Sequence, residues 1–81
     1  PAQVGEQLMS RIPAVIDVHH VHIWSLTDER PVLTLHARVT SGADHDLTMI
    51  DIHRALESLF GVSHATVQLE YGPCTDQHSH D

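Results

Sequence analysis

Apolar residues recur at Val4, Leu8, Met9 and Ile12, the spacing of one helix face, and Pro13 closes the run because proline keeps the residue before it out of helical backbone. The period then changes. From Val15 to Leu26 apolar and β-branched residues fall at most alternate places, which predicts a first strand with Val21 and Ile23 on one side and His20, His22 and Trp24 on the other. Thr27 to Pro31 has turn composition and is short enough to join antiparallel strands. Val32 to Val39 should therefore fold back as a second strand, with Leu33, Leu35, Ala37 and Val39 on its apolar side and Val32, Thr34, His36 and Arg38 opposite. Ser41-Gly42-Ala43-Asp44 breaks the alternation, and Met49, Ile52, Leu56, Leu59 and Phe60 mark a helix over about residues 45 to 60. Asp44 or Asp46 can cap its start, and Gly61 stands where a left-handed terminal residue is wanted. Ala65 to Tyr71 alternates again, with Ala65, Val67 and Leu69 inward and Thr66, Gln68 and Glu70 outward. Gly72-Pro73 ends this third strand, and Cys74 to Asp81 is a polar stretch without periodicity.

The order αββαβ is an α+β layer structure, with two helices on one face of a three-stranded sheet. The other face would carry His20, His22, Trp24, Thr34, His36, Arg38, Gln68 and Glu70, a set too polar for a core. An antiparallel sheet can leave one face to water, so plain solvation accounts for it. The density of imidazoles suggests instead a dimer contact or a metal site.

A chain of 81 residues is one small domain, of a size at which a partner or a metal helps stability. Beginning at Pro1 rather than Met, it reads as a piece of something longer. Four Lys+Arg against eleven Asp+Glu give a formal charge of −7, which repels phosphate backbones and anionic lipid surfaces and so speaks against nucleic acid as a partner. No apolar run approaches the roughly 18 residues of a membrane span, and no signal-peptide pattern opens the chain. The single cysteine, Cys74, forms no internal disulfide and suits a reducing compartment. Histidine is the outlier, at nine residues in a chain with one Phe, one Trp and one Tyr, and an acidic, histidine-rich composition suits divalent cations.

Zinc takes about four donors from His, Cys and carboxylate groups. Strand parity places His36 and Glu70 on one face, where a single ion can meet both. His19, His20 and His22 crowd the first strand; parity puts His20 and His22 outward and leaves His19 at the strand entrance, free to turn either way. His45 opens the second helix and His64 precedes the third strand, both at the sheet margin, whereas His53 beside Arg54 reads as a solvated residue. Cys74-x-x-x-His78-x-His80 offers one thiolate and two imidazoles, a combination that fits a metal clip or an inert tail equally well. No Gly-x-Ser-x-Gly turn and no phosphate-binding glycine loop appears, so neither nucleophilic catalysis nor nucleotide chemistry is indicated.

Val18-His19-His20-Val21-His22-Ile23-Trp24-Ser25-Leu26-Thr27, Leu33-Thr34-Leu35-His36-Ala37 and His64-Ala65-Thr66-Val67-Gln68-Leu69-Glu70 together resemble the cytoplasmic C-terminal domain of cation diffusion facilitator transporters. The likeness runs from about Val4 to Cys74 and is to the cobalt-zinc-cadmium efflux branch and the vesicular zinc transporters. It implies a metallochaperone-like, ferredoxin-like domain over residues 1–74, followed by a flexible His-rich tail over 75–81. It also implies a homodimer attached to the transmembrane part of a proton-coupled antiporter, on the cytoplasmic side of a bacterial inner or plasma membrane. Such a domain binds Zn2+, with Co2+, Cd2+ and Ni2+ as further candidates, and is not an enzyme.

Carried onto this chain, the family's site falls on His19, His36, His64 and Glu70, with a further loop-side histidine near His45. Cys74 matches the family's C-terminal cysteine cluster, with His78 and His80 in place of its other thiols. The resemblance selects His19 where parity favours His20 and His22, which become neighbours or ligands of a second site. A bend at Asp17 or Val18 would reconcile the two. The alternatives are a free-standing zinc-delivery module, which should carry a Cys-x-x-Cys loop that is absent here, and a small metal-dependent hydrolase.

Overall fold

Five elements follow one another in the computed structural model, which describes residues 2–27 and 30–72. They are α1 (Ala2–Arg11), β1 (Val15–Thr27), β2 (Arg30–Val39), α2 (His45–Phe60) and β3 (His64–Tyr71). The αββαβ order and the α+β class are those expected from the hydrophobic pattern. Each element begins or ends within a residue or two of its predicted bounds.

Local chemistry accounts for the boundaries. The Asp44 carboxylate accepts a hydrogen bond from the backbone N–H of Leu47 at 2.9 Å, satisfying a donor that α2 has no carbonyl for. Of the two cap candidates it is therefore Asp44 that caps, and Asp46 lies in the first turn. At the far end Gly61 adopts φ 70°; its N–H donates to the Glu57 carbonyl at 3.0 Å and the N–H of Val62 to that of Leu56 at 3.2 Å.

The core lies between the helices and one face of the sheet. Leu33, Leu35, Ala37 and Val39 alternate inward along β2 and are all buried, as the strand parity requires. Val4, Leu8 and Ile12 of the α1 segment and Ile52 and Leu56 of α2 cover them, with Val15, Val62 and Val67 filling the margins. Met9, expected on the packed face of α1, lies at its exposed edge. α1 packs on β1 and α2 on β3. A Cβ on Gly5 would stand 3.3 Å from Cβ of Val18, so α1 approaches β1 closely there.

The sheet order is β1-β2-β3, with β2 central. β1 pairs antiparallel with β2, but β3 pairs parallel to β2, so the sheet is mixed rather than antiparallel. The reason is the helix between them: α2 crosses over the sheet and returns the chain at the same end from which β2 began. The parallel pairing sets His36 beside Gln68 and Arg38 beside Glu70 on the face the helices leave open.

Candidate metal centre

Regular alternation would carry β1 past the site without presenting His19. Val15 faces inward opposite Val39, and two-residue periodicity would send Asp17 and His19 inward with it. One extra residue, Ile16, interrupts the register between Val15 and Asp17, and from there Asp17 pairs with Arg38, Val18 with Ala37 and His19 with His36. Asp17 and His19 therefore face outward. A bend was expected at Asp17 or Val18; the register instead shifts at Ile16 and again between His19 and His22. A second extra residue follows, because His20 and Val21 together oppose the single Leu35 before His22 pairs with Thr34. This returns Val21 to the core side and keeps His22 on the open face.

Three strands then converge. The Nδ1–H of His36 donates to Oε2 of Glu70 at 2.8 Å, and Nε2 of His19 lies 3.2 Å from Oε1 of the same carboxylate. Each of the three residues offers one ligand atom, and those atoms all lie within 4.8 Å of one another. All three are half-buried, so the group is held by its surroundings yet open to solvent from one side. His20 closes in beside them, its ring centre 5.0 Å from that of His19 and 4.9 Å from that of His36. Next to this cluster the open face forms a concavity of about 300 Å³ lined by His20, His22, Thr34, His36, Thr66 and Gln68.

The remaining candidates stand apart. His64 pairs with Val32 at the opposite end of β3. Six residues at about 3.3 Å each separate it from Glu70 by about 20 Å along the strand. His45 lies at the start of α2, where its Nδ1 is 3.3 Å from Oδ1 of Asp46 and its ring stacks on Tyr71 with centres 6.5 Å apart. Tyr71 and Glu70 are neighbours on a strand and face opposite ways, so His45 belongs to the helix side of the sheet. Cys74, His78 and His80 lie outside the described residues. Asp17 was not singled out by the sequence reading, yet its Oδ2 is 3.4 Å from Nδ1 of His19. An acidic residue two places before a strand histidine shares its face, and that spacing was the available signal.

Chemically, two imidazoles and a carboxylate gathered in one place are the donors a borderline-soft divalent cation prefers. The nitrogens that face Glu70 are the ones an ion would take, so a ring that binds it must hold its hydrogen on the other nitrogen.

Comparison with known proteins points the same way. The family model ZT_dimer, described as the cytoplasmic domain of cation efflux proteins, matches residues 2–71. The zinc transporter ZitB of Escherichia coli is 41% identical over 73 residues, which are 90% of this chain and 23% of the relative. The metal cation efflux system protein CzcD of Cupriavidus metallidurans is 30% identical over 74 residues, again 90% of this chain and 23% of the relative. The chain thus spans about a quarter of the length of these relatives. Among solved structures, the metal-bound C-terminal domain of the CzcD transporter superposes with a TM-score of 0.76 at 28% identity, covering 85% of this chain and 94% of that one.

Proposed function

The chain belongs to the cation efflux proteins as their cytoplasmic domain, and from that premise we propose that it is the metal-sensing and dimerising part of a proton-coupled divalent-metal efflux transporter. Zinc is the ion proposed, held by His19, His36 and Glu70, with Co2+ and Cd2+ as competitors. The observation that carries this reading is the convergence of two imidazoles and one carboxylate from three strands within 4.8 Å. A zinc transporter and a metal efflux protein among the relatives support the choice of ion, and the metal-bound state of the CzcD domain supports a site in this fold. The partners are a second copy, in keeping with the name of the family model, and the membrane part of the transporter. His64 and His45 stand too far from the cluster to share an ion with it inside one protomer, so they are left out of the proposed ligand set.

Binding becomes regulation through charge. Two copies carry a formal −14, twice −7, and repel each other most where carboxylates meet. An ion adds two positive charges at His19, His36 and Glu70 on the uncovered sheet face, which favours bringing two such faces together. Because an ion shifts an equilibrium only by its differential affinity, zinc must bind the closed pair more tightly than the open one. A change from 1:99 to 99:1 requires a preference of about 10⁴-fold.

The test is zinc calorimetry on a chain carrying Cys74→Ser, His78→Ala and His80→Ala, so that only the sheet site is read. His36→Ala and Glu70→Ala on that background should each abolish the tight phase. Wild-type stoichiometry and affinity in both would overturn the site.

A further inference from the structure

We propose that His20 is a fourth ligand of this metal centre, so that a single protomer completes the coordination shell with three imidazoles and one carboxylate. The inference rests on the metal reading of His19, His36 and Glu70 and deepens it.

His20 has φ 54°, and among the described residues the other positive φ values belong to Gly61 and Gly72. In that region Cβ crowds the following carbonyl, which is why glycine normally occupies it. A non-glycine residue persists there when its surroundings over-determine it, and such positions gather at ligand sites. The backbone at His20 is also the second bulge of β1. In a regular strand His20 would point away from His19. The bulge with its left-handed residue brings neighbouring histidines to the same side instead.

The three ring centres form a nearly equilateral triangle, with sides of 5.0 Å for His19–His20, 4.9 Å for His20–His36 and 5.4 Å for His19–His36. Three imidazoles on one tetrahedral zinc, with Zn–N of about 2.0 to 2.1 Å, place their ring centres about 3.2 Å from the ion and about 5.2 Å from one another. The observed triangle has these dimensions. The donor atoms that already converge are those of His19, His36 and Glu70. His20 joins them by turning about its Cβ–Cγ bond, a motion that redirects the nitrogens while leaving the ring centre nearly in place, and its exposure leaves the ring room to turn.

A closed shell of four protein donors is the arrangement of sites that retain zinc, whereas an open position characterises sites that activate water. The proposal therefore makes the centre a holding site whose donors all come from one protomer, with the partner coupled to it through charge rather than by lending a donor.

Cobalt reports this directly, because tetrahedral Co2+ absorbs visible light far more strongly than five- or six-coordinate Co2+. The comparison is His20→Gly against the parent, both with Cys74→Ser, His78→Ala and His80→Ala. Glycine accepts φ 54° without strain, so the bulge survives and only the imidazole is lost; circular dichroism checks the fold. The expected result is a parent with intense bands and a His20→Gly variant in which they shift, with water in place of the imidazole. Zinc affinity should fall by more than the about 10- to 100-fold that losing a ligand's outer partner costs, and added imidazole should restore the bands. Unchanged zinc affinity together with unchanged bands in His20→Gly would overturn the proposal. His36→Ala serves as the control: if it too binds as the parent does, the underlying metal reading has failed, and if it loses the ion while His20→Gly does not, only the fourth ligand has.

Discussion

Asp17 and Glu70 address opposite nitrogens of one ring: Asp17 Oδ2 lies 3.4 Å from Nδ1 of His19, and Glu70 Oε1 lies 3.2 Å from Nε2. A metal that takes Nε2 leaves Nδ1 bearing its hydrogen toward Asp17. A carboxylate behind a ligating histidine fixes both its tautomer and its orientation. Asp17→Asn should therefore weaken zinc binding by about 10- to 100-fold while leaving one ion bound per site. Stability of the metal-free chain should barely change, because this pair is partly open to solvent and such pairs contribute little. Calorimetry and urea denaturation on the same variant check both halves.

Zinc and protons compete for the nitrogens that now face Glu70. Binding must weaken in acid, because a protonated imidazole has no lone pair to give. Calorimetry in two buffers of different ionisation enthalpy gives the number of protons released. Binding as tight in acid as at neutral pH would contradict ligation by imidazole.

Trp24 is the single tryptophan, 46% exposed on β1, the strand that carries His19 and His20. If zinc draws two protomers together across the open face, Trp24 emission should shift as small-angle scattering records a smaller dimer, with one midpoint for both. Glu70→Ala should abolish the two responses together. Unchanged dimensions at saturating zinc would leave a storage site and remove the regulatory part of the proposal.

Leu35 is fully buried on the central strand, directly beneath the open-face cluster. Leu35→Ala should cost about 2 to 5 kcal/mol through lost burial and the cavity left behind. Zinc at about 100 times its dissociation constant should return about 2.7 kcal/mol, since the unfolded chain holds no assembled site. Denaturation midpoints with and without zinc measure both quantities.

Much of this was legible in the chain because periodicity is a direct imprint of burial. Leu33, Leu35, Ala37 and Val39 read inward and are inward; Glu70, Gln68 and Thr66 read outward and lie on the open face. Asp44 and Gly61 announced the ends of α2 through their own chemistry. The facing of β1 was not legible in the same way, because a bulge shifts parity by one and neither Ile16 nor His20 is a residue type that marks one. Glycine would have signalled the left-handed position; histidine conceals it. His64 and His45 were candidates at the sheet margin; that His64 lies at the far end of β3 from Glu70 follows from strand register, which depends on pairing between distant segments.

The placement of Glu70 on a strand reached only by crossing over the sheet has a kinetic meaning. β1 and β2 can form as a local hairpin, but the contact between His36 and Glu70 spans 34 residues and waits for α2 to bring β3 home. Closing so long a segment is a slow, entropically opposed step compared with forming the hairpin. A metal bound by all three strands finds its complete donor set only after that docking, so zinc should slow the unfolding of β3 more than speed its arrival. Amide exchange along Val67, Gln68 and Leu69 is where that protection would be read.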